Sequence, residues 1–334
     1  MKKKRISAVL FAVLICTLSF AGCKKNVGTP EDNPVKNEDT EENNEEEEVQ
    51  SHSYGFSGIT MKNPYFITLE KAIEEEVENN GDTLTVKDPD NNVDTQIQQI
   101  QEMIDEGIEL LFLSPVDWEK ITPALEALKE ADVRVVNVDT QVKDMDLVDA
   151  FIGSDNSDAG YQCGEDLVEK FPDGGKIAIL ECTTMNSMND RITGFEEAIA
   201  GKGFEVVARE DTLGDMQLSI AAAEKILNEN DDIVAIMCGN DQAALGALVA
   251  VKEKTGCSTL IYGVDGSPDI KKELKKVNSL VEATSGQSPI NMGKNAAKIA
   301  RNIINGEKYE KETYEETFLI TKENVDMYGV DGWQ

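Results

Sequence analysis

Asn63-Pro64-Tyr65-Phe66, Asp139, Thr183, Asn240-Asp241 and Asp265-Gly266 share a position as well as a polarity: each follows closely on a short apolar run with the composition of a β-strand. In open parallel sheets, ligands bind beyond the carboxyl ends of the strands, so residues at those ends become neighbours at one crevice however far apart they lie in sequence. The chemistry of the set suits a carbohydrate. Each sugar hydroxyl both donates and accepts, so planar Asp, Asn, Gln and Arg groups engage adjacent hydroxyl pairs, and the C–H face of a sugar packs on rings such as Tyr65 and Phe66. Singly, each residue has a plainer role open to it. Asp139, Asn240 and Asp265 are of the types that cap helices in βα loops, Tyr65 and Phe66 are of the types that fill cores, and Arg191, near an expected helix start, would ordinarily be solvated. Their joint placement is what points to a site.

Other chemistries lack their residues. The single histidine, His52, lies at the edge of an acidic low-complexity stretch, where a mobile chain could not hold an imidazole as general base. No Gly-x-Gly-x-x-Gly follows the first expected strand, and there is no P-loop and no Gly-x-Ser-x-Gly elbow. Glycoside hydrolysis by carboxylates alone, with Asp139 and Asp265 as the pair, is the catalytic scheme the composition leaves open. Cys163, Cys182, Cys238 and Cys257 show no C-x-x-C spacing, so no zinc site is expected, no disulfide can be read from them, and all four are expected to be small buried apolar residues. Sixty-four Asp+Glu against 32 Lys+Arg give a formal charge of -32, which repels phosphate backbones and excludes nucleic acid as a partner. The expectation is a protein that is not an enzyme, with no cofactor and no metal.

Positioning such a site requires strands ending side by side, and from Tyr54 onward the pattern is of that kind. β-branched or apolar runs at 54–59, 83–87, 109–113, 134–138, 176–180, 205–208, 234–237 and 259–264 alternate with amphipathic segments. Leu69, Ala72, Ile73 and Val77 form one apolar stripe at helical spacing, and Val93, Ile97, Ile100 and Ile104 form another. This is the signature of βαβ units around parallel sheets. About ten such units exceed one open sheet of ordinary width, so two doubly wound lobes fit better than one. A closed barrel of eight units is the competing architecture, and composition alone does not decide between them.

Two segments precede this body. Residues 1–5 are basic, 6–20 are apolar, and Phe20-Ala21-Gly22-Cys23 ends the run with small residues before a cysteine. The apolar run is shorter than the ~20 residues that span a bilayer. It resembles a bacterial lipoprotein leader, 1–22, whose cleavage leaves an acylated Cys23 as the new N-terminus. Phe20 departs from the usual leucine, and an uncleaved anchor or a simple secretory signal is the alternative. Residues 23–52 are Asn/Glu-rich, with Glu45-Glu46-Glu47-Glu48 the densest part. Such a stretch cannot bury enough apolar area to offset its ordering entropy, and it reads as a disordered, self-repelling linker.

The polar clusters, taken in order, resemble the ribose-binding-protein family of type I solute-binding proteins, which serve ABC transporters. Asn63-Pro64-Tyr65-Phe66 is similar to that family's first-loop motif, Asp139 to its aspartate after the fourth strand, and Gly153-Ser154-Asp155-Asn156 to its entry into the second lobe. Further matches are Asn189-Asp190-Arg191 with Gly194-Phe195, Asn240-Asp241 with Ala244-Leu245-Gly246, the segment 263–269 around Asp265, and Gln287 before Pro289 and Gly293. The resemblance implies two lobes, 53–153 plus 288–316 and 154–287 plus 317–334, joined by a hinge of three segments and closing on a sugar. It implies that Asn63, Tyr65, Phe66 and Asp139 line one wall and Arg191, Asn240 and Asp265 the other, with Gln287 near the hinge. It implies permease subunits of an ABC transporter as partners, a monomer, and, with Cys23, a lipid-anchored place on the outer face of the cell membrane. Thr140 stands where ribose binders carry a second arginine and Gly214 where they place a ring, which implies either a sugar bulkier or differently hydroxylated than ribose or another side chain, such as Met188, Met216 or Trp118, in the gap. A sugar sensor docking on a chemoreceptor or histidine kinase remains the alternative use of the same fold. A lac-repressor-type regulator does not fit, because the leader replaces a helix-turn-helix.

Overall fold

Runs such as Leu110-Leu111-Phe112-Leu113 are buried at every position, which needs a sheet covered by helices on both faces. The computed structural model describes residues 51–334; the leader, Cys23 and nearly all of the acidic stretch lie outside the described residues. In chain order the first elements are β1 (Ser53–Ser57), α1 (Pro64–Asn79), β2 (Thr83–Lys87), α2 (Val93–Asp105), β3 (Leu110–Leu113), α3 (Thr122–Glu130), β4 (Arg134–Val138) and β5 (Ala150–Ser154). There follow α4 (Asn156–Lys170), β6 (Gly175–Glu181), α5 (Asn186–Ile199), β7 (Phe204–Asp211), α6 (Met216–Glu229), β8 (Ile233–Cys238), α7 (Asp241–Glu253) and β9 (Leu260–Asp265). The last are α8 (Pro268–Leu274), β10 (Val281–Gly286), α9 (Pro289–Ile304), β11 (Glu312–Glu315), β12 (Phe318–Thr321) and α10 (Val325–Tyr328).

The strands form two six-stranded sheets, ordered β11-β5-β4-β3-β1-β2 and β12-β10-β9-β8-β6-β7. Every pairing is parallel except that of β12 with β10, which is antiparallel. The architecture is therefore two α/β lobes, not a barrel. The chain passes from the first sheet to the second after Ser154, back after Gly286, and over again between Glu315 and Phe318. Alternate strand residues serve opposite layers, as the two-residue period demands. Phe56, Leu110, Phe112 and Val136 pack with Leu69, Ile73 and Met292 of α1 and α9, whereas Leu111, Leu113 and Val135 pack with Ile100 and Leu125 of α2 and α3. In the second lobe Leu180, Ile236 and Ile261 face α6 to α8, and Ile179, Met237 and Val264 face Cys163 and Phe195 of α4 and α5.

Strands β5, β10, β11 and β12 are absent from the sequence reading. Val281-Glu282-Ala283-Thr284-Ser285-Gly286 is buried throughout yet half polar, so no apolar run announces it. Its polar groups are satisfied instead. Glu282 pairs with Lys170 at 2.7 Å and Lys322 at 2.8 Å, and the Thr284 hydroxyl donates to Asp241 Oδ1 at 2.7 Å. Two placements correct expectation. His52 is held on the body, its Nδ1 2.9 Å from Glu109 Oε2 and its carbonyl accepting from Thr83 N at 3.0 Å. Cys163, Cys182 and Cys238 are buried, but Cys257 is half-buried in the loop before β9, 3.2 Å from Thr259 Oγ1, and all four are free thiols. Among the described residues no helix is long and apolar enough to cross a membrane.

Candidate ligand-binding cleft

Loops at the carboxyl ends of both sheets meet around a cleft. From the first lobe it is lined by Asn63, Tyr65, Phe66 and Asp139, with Lys62 and Asn91 alongside. From the second lobe come Arg191, Asn240 and Asp265, with Gln242 and Asp215. Gln287, the eighth residue singled out from sequence, does not line the cleft. It lies one bond behind, where its Nε2 donates to Asp265 Oδ1 at 2.7 Å and its backbone N–H donates to Asp265 O at 2.9 Å.

Local structure explains how these side chains are aimed. Asn63 and Asn240 are N-caps: Asn63 Oδ1 accepts from Tyr65 N at 2.9 Å and Asn240 Oδ1 from Ala243 N at 2.8 Å. Each thus satisfies an orphan amide of its helix and turns the helix start, the positive end of its dipole, toward the cleft. Asp139 and Asp265 are not caps; Ser267 caps α8. Both aspartates have left-handed backbones, with φ 69° and 138°, a strain that non-glycine residues keep chiefly at functional sites.

Arg191 is 3% exposed, so it is not a solvated side chain. Its Nε donates to Asn156 Oδ1 at 2.7 Å, and its Nη1 donates to Gly239 O at 2.8 Å and to Asp265 Oδ1 at 3.3 Å. Helix packing delivers it there. A Cβ on Gly160 of α4 would fall 1.7 Å from Arg191 O, and one on Gly194 of α5 would fall 1.9 Å from Ser157 O. The two helices therefore touch backbone to backbone, a closeness that side chains would prevent.

Burial penalises the charged forms of the two aspartates. Asp265 is raised by desolvation, opposed by Arg191 and reinforced by Asp241 and Asp139. Asp139 is raised by desolvation, against which Arg191, Tyr65 and Ser114 act. Asp241, behind the cleft, accepts from Ser267 N and the Thr284 hydroxyl, each at 2.7 Å, and so ties the loop carrying Asp265 to β10.

Thr140 and Gly214 have definite employment. Thr140 Oγ1 accepts the N–H of Ser187 from the other lobe at 2.9 Å. Gly214, at φ 65°, lets its carbonyl accept from Asn240 Nδ2 at 3.1 Å, and a Cβ there would sit 2.8 Å from that nitrogen. Met188 and Met216 line the cleft whereas Trp118 does not, and the Met188 methyl lies 3.5 Å from where that Cβ would be. Met185, Leu213, Asn91 and Gln242 were not legible as site residues, because they lie in loops or first turns with no motif of their own.

Two α/β lobes of six strands with a polar cleft at the carboxyl ends of both sheets define a class of protein that encloses a small ligand. The family description that matches residues 54–308 is that of the periplasmic binding protein domain, and this chain belongs to that family. A ribose import binding protein of Bacillus subtilis is 30% identical over 258 residues, covering 77% of this chain and 83% of the relative. An ABC transporter solute binding protein from Mycobacterium smegmatis, solved with glycerol, superposes with a TM-score of 0.79 at 27% identity, covering 85% of this chain and 100% of the other. The binding component of an arabinose ABC transporter from Shewanella, bound to L-arabinofuranose, superposes with a TM-score of 0.76 at 27% identity, covering 82% and 93%.

Proposed function

We propose that this protein is an extracytoplasmic solute-binding lipoprotein that captures a sugar, a pentose, hexose or related polyol, between its lobes and delivers it to the permease of an ABC importer. The observation that carries this reading is the convergence of Asn63, Phe66 and Asp139 from one sheet with Arg191, Asn240 and Asp265 from the other on one cleft. Planar carboxylate, amide and guanidinium groups beside aromatic rings are the recognition chemistry of vicinal hydroxyls and a C–H face. The names of the relatives, a ribose import binding protein and the binding component of an arabinose transporter, support the same ligand class and partner. The lobes 53–153 plus 288–316 and 154–287 plus 317–334 would open about the three crossings, with ligand contacts from both favouring closure.

A thermal-shift screen of the protein lacking its leader against pentoses, hexoses, furanoses and polyols tests the ligand. A sugar at a hundredfold excess over its Kd stabilises by about 2.7 kcal/mol. If no sugar stabilises the protein while an amino acid or a nucleoside does, the reading fails. Cys23 supplies the anchor in this scheme, with the acidic stretch as tether. A Cys23→Ala protein is expected to leave the membrane fraction while binding its ligand unchanged, and persistence in that fraction would refute acylation at Cys23.

A further inference from the structure

The cleft encloses two buried carboxyl groups but one buried guanidinium. Of the charged residues lining it, Asp139 and Asp265 are each 5% exposed and Arg191 is 3% exposed. Arg191 forms its ion pair with Asp265 at 3.3 Å, whereas Asp139 takes part in no ion pair among the described residues. Lys62, at the mouth, is paired with Asp90 at 2.6 Å and its side chain is 74% exposed, so water screens it from the interior. Asp215, also at the cleft, adds a further carboxylate. On its other side Asp139 borders a second hollow whose lining includes Asp155 and Asp190 and no lysine or arginine. Thr140, next in sequence, is neutral and spends its hydroxyl on Ser187.

An uncompensated carboxylate in a closed, desolvated site is costly, and an opposite charge brought by the ligand offsets that cost. We propose that the ligand is a polyhydroxylated molecule bearing a protonated amine, an amino sugar or amino polyol, with its ammonium group against Asp139. This rests on the sugar-binding reading and names the substrate class within it. The carboxylates and amides engage hydroxyls as before, and the amine supplies the cation that the protein lacks. The formal charge of -32 gives the whole chain a field of the sign that favours encounter with a cation.

Calorimetric titration with 2-amino-2-deoxy-D-glucose, 2-amino-2-deoxy-D-galactose and 1-amino-1-deoxyribitol, each beside its hydroxyl counterpart, tests this. At least one amine is expected to bind about tenfold or more tightly than its counterpart, equivalent to ~1.4 kcal/mol. Asp139→Asn, whose side chain tolerates the left-handed backbone, is expected to bring that ratio toward one. Neutral sugars binding as well as every amine, or a ratio untouched by Asp139→Asn, would overturn the assignment and leave the sugar reading standing. Failure of every sugar and polyol, charged or neutral, would sink both.

Discussion

Asp265 accepts from Arg191 and Gln287 through the same carboxylate oxygen while its backbone is held at φ 138°. Its pKa is raised in the fold chiefly by desolvation, which fixes a sign. A carboxyl whose folded-state pKa exceeds its unfolded value favours folding in the protonated form. Its contribution is full below the ordinary value of 3.8 and is lost as pH rises through the folded value. Asn mimics the protonated acid, so the stability of the native protein relative to Asp265→Asn is expected to fall as pH rises from about 4 to about 8. A pH-independent difference in unfolding temperature would refute it. Arg191→Ala would leave Asp265 without its cation and Asn156 Oδ1 and Gly239 O without a donor. The expected cost is about 3–5 kcal/mol in urea unfolding, together with loss of ligand binding. Of these facts, residue type and order were readable; the burial of Arg191 was not, because it depends on which face of a helix another helix covers.

At the scale of elements, the contact of α4 with α5 connects packing to the site. Gly160 and Gly194 let the backbones meet, and Arg191 lies on the helix so placed. Gly160→Ala forces a methyl into a carbonyl and must part the helices, at about 1–3 kcal/mol. Ligand affinity is expected to fall with it, since the guanidinium moves. Normal affinity at reduced stability would show that Arg191 is positioned by its own hydrogen bonds alone. The helical stripes show what periodicity reads well: Leu69, Ala72, Ile73 and Val77 are all buried in α1. In α2 the fully buried residues are Gln96, Ile100 and Met103, while Ile97 and Ile104 pack partly buried on the same core and Val93 on that of α1. Gln96 is buried because its amide bonds Ser57 Oγ, Gly58 O, Ser114 O and Val116 N, a network spanning loops that no window of sequence contains.

At the scale of the molecule, the two lobes are in direct contact across the cleft. The Trp118 N–H donates to Thr184 O at 3.0 Å, the Ser187 N–H donates to Thr140 Oγ1 at 2.9 Å, and Met185 and Met188 join the apolar cluster of Tyr65 and Phe66. On the proposed opening and closing of the lobes, these contacts belong to the closed arrangement. Thr140→Val removes the acceptor and leaves a buried N–H unpaired only when the lobes meet, at about 1–3 kcal/mol. Apparent affinity is then expected to drop about tenfold, because less of the protein occupies the binding-competent state. Small-angle scattering of the ligand-free variant would show a larger radius of gyration; native affinity and dimensions would remove this bond from the account of closure. Gln334 and Trp333 also settle here, the indole 5.7 Å from the Tyr65 ring and Ser288 Oγ donating to Gln334 O. Nothing in the residues 329–334 themselves predicts that seat.

What the amino-acid sequence determined by itself was local: strands and helices with a strong period, and the polar residues at strand ends. The rule that ligands sit beyond the carboxyl ends, together with the family resemblance, then named Asn63, Tyr65, Phe66, Asp139, Arg191, Asn240 and Asp265 among the residues that line the cleft. Only the tertiary structure decided that β10 and β12 complete the second sheet, that Gln287 supports Asp265 instead of lining the cleft, and that Thr140 bonds the opposite lobe. That Arg191 pairs with Asp265 and leaves Asp139 without an ion pair among the described residues likewise emerges only in three dimensions. The reason is the same each time: burial, pairing and desolvation depend on what a residue meets across the fold, and those partners lie far off in sequence, 227 positions away for the hydrogen bond of Tyr65 with Met292.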